Sequence, residues 1–353
     1  MSTRAVVIGC GAISAQHLAY LHRSTRVDLV GVCDLSAALA GWTADTYGTV
    51  AFGDHRVMLR DTRPDVVHVL TPPASHQALA FDALDAGAHV VVEKPAADDG
   101  ARLRELLDAA ARRDRLLIEN QNYRYNDGVA VVADALGSGS LGEPVSIRVS
   151  MALRLAGGPL DDPNLPSPVG YLRGGALRDF LPHLAGLVLH LSGDQGFGHV
   201  RADWRNNSGS ARLQFDELHA AFDAGRIRGS IDFDARLGPE HFTVTAQGTE
   251  GYLEVDLFQP HAIGSRPRTP AVFSPLLNQL ATGAGLVTSA FTGLGNKVLQ
   301  HTPYHGVPRL LDAFYRAVED GAPSPLSPEV LTSTADLVDA IVAHCPDLED
   351  TTP

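Results

Sequence analysis

The sequence predicts an α/β protein: a doubly wound parallel sheet first, then an α/β domain with a mostly antiparallel open sheet. Three observations carry this expectation. Short Val/Ile/Leu-rich runs alternate with helical patterns through the first third of the chain. Glycines fill the first strand-to-helix turn. Later the runs give way to period-two alternation separated by Gly-rich turns, the mark of a half-buried antiparallel strand.

Each element follows in order. Arg4–Ile8 reads as a strand, and Ile13–His22 as an amphipathic helix behind Gly9-Cys10-Gly11. Val27–Cys33 is the next strand and Ser36–Tyr47 the next helix. Asp65–Leu70, a helix over Ser75–Ala86, Ala88–Val92, a helix over Gly100–Arg113 and a strand at Leu116–Ile118 continue the series. Strands alternating with helices imply right-handed βαβ units. Strands that are apolar almost throughout fit a sheet covered on both faces.

Beyond Glu143-Pro144 the strand Val145–Ala152 alternates. A Pro/Gly-rich loop spans Gly157–Gly170, and Gly175–Leu191 forms an amphipathic helix. Four more strands follow at His219–Asp223, Ile227–Ala235, Phe242–Gln247 and Tyr252–Leu257. The closing helices are Leu310–Glu319 and Pro328–His344. The expected division is 1–121, 122–308, and 309–353 as helices packing back on the first domain.

At about 150 residues per domain, 353 residues make about two domains. With 28 basic against 41 acidic residues, the net charge of −13 speaks against nucleic-acid binding, which needs a basic stripe. Cys10, Cys33 and Cys345 form no CxxC pair, and the 15 histidines show no HExxH pattern, so no metal site is expected. The N-terminus enters a strand without a signal-peptide pattern, which gives a cytoplasmic expectation. Residues 269–296 carry no charge. Polar residues and glycines there argue against a membrane span. Leu280, Ala284, Val287, Phe291, Leu294 and Val298 share one helical face, which reads as a core or subunit-interface helix, with a lid or a membrane-surface contact as alternatives.

Gly9-Cys10-Gly11-Ala12-Ile13-Ser14 fits G-x-G-x-x-(small) between a strand and a helix, the context a dinucleotide-binding turn needs. Gly9 permits the tight turn, and Gly11 lets the backbone approach a pyrophosphate at the helix N-terminus. Asp34 ends the second strand, 20 residues beyond Ser14. A carboxylate there accepts from ribose hydroxyls and repels a 2′-phosphate, so NAD is expected over NADP. A helix N-cap explains the same aspartate.

Thr71 and Pro72 follow the strand Asp65–Leu70 and are candidate cofactor contacts. His76 is a further candidate, with a plain helix-surface position as its alternative. Glu93-Lys94-Pro95 closes another strand. A lysine at a sheet's carboxyl edge can stabilise developing alkoxide charge; a surface lysine beside a turn is the alternative. Asp179 and His183 stand four apart on one predicted helix face, interrupted by Pro182, and suit either acid–base work or a structural Asp–His bond.

The motifs GCGAIS, VCD, TPPASH, EKP and GGALRDFLPH, in this order and spacing, resemble the glucose–fructose oxidoreductase, inositol dehydrogenase and MocA family (Gfo/Idh/MocA). The resemblance implies an N-terminal Rossmann domain, an open-sheet second domain and a homodimer or homotetramer. It implies hydride transfer between a nicotinamide and a secondary alcohol of a sugar or cyclitol. In that reading Lys94 holds the reacting oxygen and His183 takes or gives the proton. Asp179 fixes the substrate hydroxyl, and Glu93 and Thr71 line the cofactor cleft. Two departures bear on the substrate: Gly186 stands where many relatives have Asp, and Asn122–Asp127 lacks the usual Pro. Tyr123, Arg124 and Tyr304, with His305, are candidate substrate contacts, interdomain packing being the alternative. A redox-neutral enzyme with retained NAD uses the same Lys and His. A non-enzymatic dinucleotide sensor is the third reading.

Overall fold

A computed structural model describes residues 2–165, 170, 172–259, 261–266, 271–298 and 306–347. The chain divides into two compact units, Met1–Asn122 with Val307–Asp336, and Tyr123–Gly306 with Leu337–Pro353.

The first unit alternates strand and helix. β1 (Thr3–Ile8), α1 (Ser14–Arg23), β2 (Val27–Cys33), α2 (Ala37–Tyr47), β3 (Ala51–Phe52) and α3 (His55–Thr62) lead. Then come β4 (Val66–Val69), α4 (His76–Asp85), β5 (His89–Val92), α5 (Gly100–Arg112) and β6 (Leu117–Glu119). The six strands lie in the order β3-β2-β1-β4-β5-β6, every pairing parallel. All four residues of β4 are buried, as a sheet covered on both faces demands. The order reverses between β1 and β4, and ligands of such sheets bind at the strands' carboxyl ends at that switch point.

The second unit contains α6 (Asp127–Gly137), β7 (Pro144–Ala152), α7 (Gly175–Leu191), β8 (Phe197–Arg205), β9 (Glu217–Ala224), β10 (Ile227–Asp234), β11 (His241–Gly248), β12 (Tyr252–Asp256), β13 (His261–Ser265) and α8 (Ser274–Val298). Its seven strands run β13-β12-β11-β7-β10-β9-β8. Neighbours are antiparallel except β7 and β10, which are parallel. The inward residues Ile147, Val149, Ile231, Phe233 and Val244 join Leu181, Leu184, Leu187 and Val188 of α7 in one core.

Two helices close the chain, α9 (Gly306–Asp320) and α10 (Pro328–Val342). Residues 307–336 belong to the first unit and 337–353 to the second, where the sequence led us to expect 309–353 on the first domain throughout. The physical reason lies in α10, whose Leu337, Val338, Ile341 and Val342 are part of the second unit's core.

The long uncharged segment forms α8, but not as a core helix. Leu280 is 62% and Val287 59% exposed. The helix instead docks by polar groups: Asn278 Nδ2 donates to Ser265 Oγ at 3.0 Å and to the Arg266 carbonyl at 2.8 Å. Among the described residues no helix is long and apolar enough to cross a membrane.

Candidate active site

The glycine turn after β1 is fixed by close packing. Gly9 has φ +100°, and a Cβ there would lie 2.7 Å from the carbonyl carbon and oxygen of Leu70 and 2.9 Å from Thr71 N. Only glycine allows the ends of β1 and β4 to come this close. Gly11 differs: a Cβ on it would meet nothing within 4 Å. The space a pyrophosphate needs is therefore open beside a helix N-terminus. Ala12 and Ile13 complete the turn, Ile13 being the N-cap of α1. Ser14 Oγ donates to the Gly11 carbonyl at 2.7 Å and stiffens it.

Asp34 is half-buried at the end of β2. Its Oδ2 accepts from Cys10 N and its Oδ1 from Ser36 N, both at 2.8 Å. The N-cap of α2 is Ser36, which accepts from Leu39 N. Asp34 thus bridges the glycine turn and the backbone of the residue that caps α2.

The β4 loop is bolted to the β5 loop by His76. Its Nε2 lies 2.6 Å from the Thr71 carbonyl and its Nδ1 2.8 Å from the Pro95 carbonyl, and the ring is fully buried. The expected alternative of a surface histidine on α4 is therefore corrected. Burial between two carbonyls makes it a strut joining two loops of the carboxyl edge. Thr71 Oγ1 bonds Ser75 Oγ at 2.7 Å, and Pro72 opens the short 3-10 turn that leads to α4.

Two carboxylates flank Lys94. Glu93, buried, receives Asn120 Nδ2 on Oε1 at 2.5 Å and Lys94 N on Oε2 at 3.3 Å. His17 Nε2 stands 3.3 Å from Oε1. Burial pushes the Glu93 carboxyl up, but hydrogen bonds from His17 and Asn120, with the charge of Lys94, outweigh it and hold it down at about 2. Glu119, at the end of β6, goes the other way. Burial raises it above the usual carboxylate range despite bonds from Ala96 N and Gln121 Nε2. Sequence reading missed the whole set of His17, His68, Asn120 and Glu119; the signal lay in histidines and carboxylates placed inside otherwise apolar strands and helices.

In the second unit, α7 runs without interruption through Pro182, which omits one rung of the helix. Asp179 and His183 are half-buried on it, between fully buried Leu177, Leu181 and Leu184. Tyr123 packs edge-on to the His183 ring, centroids 4.8 Å apart, and edge-on to Phe242 at the same distance. Tyr123 is itself buried, so it fixes the imidazole plane. Arg124 spends its fork on Asp194: Nη1 to Oδ2 at 3.2 Å and Nη2 to Oδ1 at 3.1 Å. Packing inside the unit thus occupies both residues. Tyr304, with His305, lies outside the described residues. Among the described residues no group of three or more His, Cys, Asp or Glu is placed to hold a metal ion.

Comparison with known proteins agrees with this geometry. Residues 3–121 match the family model described as an oxidoreductase family with an NAD-binding Rossmann fold, Gfo/Idh/MocA. Residues 3–121 are thus similar to the NAD-binding Rossmann domain of that oxidoreductase family. Over 158 residues it is 32% identical to D-glucoside 3-dehydrogenase of Escherichia coli K12, covering 44% of this chain and 45% of that one. Over 144 residues it is 31% identical to inositol 2-dehydrogenase of Rubrobacter xylanophilus, covering 40% and 42%. The chain thus spans less than half the length of these curated relatives. Its whole fold resembles the WlbA dehydrogenase of Bordetella pertussis, solved with NADH and UDP-GlcNAcA, at TM-score 0.78 and 19% identity, covering 98% of this chain and 95% of that one.

Proposed function

We propose that this protein is an NAD-dependent oxidoreductase acting on a secondary CH–OH group of a sugar, cyclitol or related polyol. The open cradle at Gly11 carries the reading. It lies at the switch point of a Gfo/Idh/MocA Rossmann sheet, with Asp34 tied to the same turn and Lys94 at the end of a strand of the same sheet. The named dehydrogenase relatives support it.

Gly11, Ala12 and Ile13 would hold the pyrophosphate by backbone N–H groups, and Gly9, whose N–H is spent on the Cys33 carbonyl, would shape the turn that presents them. Asp34 would accept from the adenosine ribose; Leu35 and Ser36 beside it offer no cation for a 2′-phosphate, so NAD is preferred over NADP. Thr71, Pro72, Glu93 and Lys94 would line the nicotinamide side. When bound, NAD supplies the hydride acceptor or donor. Lys94 binds the reacting oxygen and stabilises its alkoxide character. His183 takes the hydroxyl proton in oxidation and returns it in reduction, a task suited to an imidazole near neutrality. Asp179 binds the substrate hydroxyl beside it. Tyr123 keeps the His183 ring in one plane for that transfer.

The test is a pair of variants and a titration. Lys94→Ala and His183→Ala should each lower kcat by about 10²–10⁴-fold on the polyol the wild type turns over, with Kd for NAD within about threefold of wild type. Wild-type turnover in both variants removes the assignment. Tighter binding of NADP than NAD removes the role given to Asp34.

A further inference from the structure

Four buried polar side chains of the first unit stand in line. Tyr315 of α9 places its Oη 2.9 Å from His68 Nε2 on β4. His68 Nδ1 faces His17 Nδ1 of α1 at 2.9 Å. His17 Nε2 then reaches Glu93 Oε1. His17, His68 and Tyr315 are wholly buried.

The chemistry of each group sets the direction of the protons. An ionised carboxylate only accepts, so His17 must donate from Nε2. A neutral His17 then accepts at Nδ1, and His68 must carry its proton on Nδ1. That leaves His68 Nε2 as acceptor, and Tyr315 donates its hydroxyl. Every hydrogen bond is satisfied in one sense, Tyr315 to His68 to His17 to Glu93. The surroundings favour the same state. Burial holds His68 well below the usual imidazole range, and burial, with Tyr20 and Asp65 nearby, pushes the Tyr315 hydroxyl well above its own. At the other end Glu93 also faces Asn120, Lys94 and Glu119.

We propose that Tyr315, His68 and His17 form a one-way hydrogen-bond chain that holds Glu93 ionised beside Lys94, and that they are positioning residues for Lys94. The proposal rests on the dehydrogenase reading for what Lys94 does, and on the first unit alone for the chain. A buried carboxyl that loses one of its donors binds its proton more tightly, and Glu93 without His17 keeps only Asn120 Nδ2 and Lys94 N. Once protonated, Glu93 would lose its charge and its fixed orientation, and Lys94 its neighbouring anion.

Histidine ¹⁵N NMR on the full-length protein, assigned with His17→Gln and His68→Gln, reads the chain directly. His68 should be the Nδ1–H tautomer and His17 the Nε2–H tautomer at pH 8. The reverse tautomers, or an imidazolium at His17, overturn the chain. The pH profile of kcat/KM reads the role. In wild type the acid limb has the slope of one group, His183. In His17→Leu, Glu93 rises into the measured range, the slope steepens towards two, and kcat/KM at pH 5.5 falls at least about tenfold further below its pH 8 value than in wild type. His17→Gln keeps a donor and restores the single slope. Tyr315→Phe, which removes only the first donor and is the gentler probe of folding, gives a smaller fall of about threefold. Profiles of wild-type shape in both His17→Leu and Tyr315→Phe overturn the positioning role. A wild type that binds NAD but turns over no polyol, while showing the expected tautomers, refutes the dehydrogenase reading and the role at Lys94 and leaves the chain standing.

Discussion

In the first unit, His17, His68, Tyr315 and Glu93 lie inside the core and bond to one another. In the second, Asn278 of α8 turns inward to Ser265 and Arg266 while Leu280 and Val287 of the same helix face out. Those four buried groups of the first unit cost little because donors and acceptors are matched among themselves. The price of docking α8 through polar groups is apolar surface left in water. Substitutions in the first unit's interior should therefore change stability in large, pH-dependent steps. Those on the outer face of α8 should change it hardly at all.

The largest effect is expected at the glycine turn. Gly9→Ala adds a Cβ against the Leu70 carbonyl in a left-handed backbone, and should destabilise the protein by about 3 kcal/mol in urea unfolding. Gly11→Ala meets no protein atom, so it should leave stability within about 1 kcal/mol and weaken NAD binding instead. Equal stability losses at the two glycines would break the distinction between packed turn and open cradle.

The two carboxylates sharpen the comparison next. Glu93 is depressed in the fold to about 2 from an ordinary 4.5. Its contribution is present above 4.5 and lost as pH falls through the folded value, on the order of 3 kcal/mol in total. Glu93→Gln should flatten the loss of stability between pH 5 and pH 2. Glu119 is raised, so its charge opposes folding above its unfolded value. Glu119→Gln should therefore gain on wild type as pH climbs from 4 to 7. Thermal unfolding across that range measures both slopes. Slopes of the same sign would show that the two strand ends share one environment.

Much of the first unit was legible because its signals are local. A strand buried on both faces reads as VVHV, and a dinucleotide turn announces itself by Gly9 and Gly11. The parallel pairing of its strands needed only the βαβ rule. The two-residue β3 and the polar α3 fell below any periodic signal. In the second unit, β8 was missed because a register shift between Gly198 and Arg201 breaks its alternation. The glycine-containing β13 is too short to show a period. Of the residues we propose for the site, Lys94, Asp179 and His183 stand out in the sequence as motif residues. The His17–His68 pair was not, because it joins residues 51 apart that meet only once α1 covers β4. The bond between Arg124 and Asp194 is likewise set by folding, not spacing.

The smallest effect is expected on α8, and its size decides what covers the helix. Leu280→Ser on a helix face open to water should change the free energy of unfolding by less than about 0.5 kcal/mol. The same change in a packed core costs about 2–5 kcal/mol. A loss near the core value would require a second copy of the chain over Leu280 and Val287. Such a loss would depend on protein concentration, because an interface stabilises by mass action. Unfolding Leu280→Ser and wild type at two concentrations a hundredfold apart separates the cases. A small loss at both leaves α8 a surface helix held by Asn278. A loss that grows at the higher concentration makes the exposed face of α8 an interface between copies.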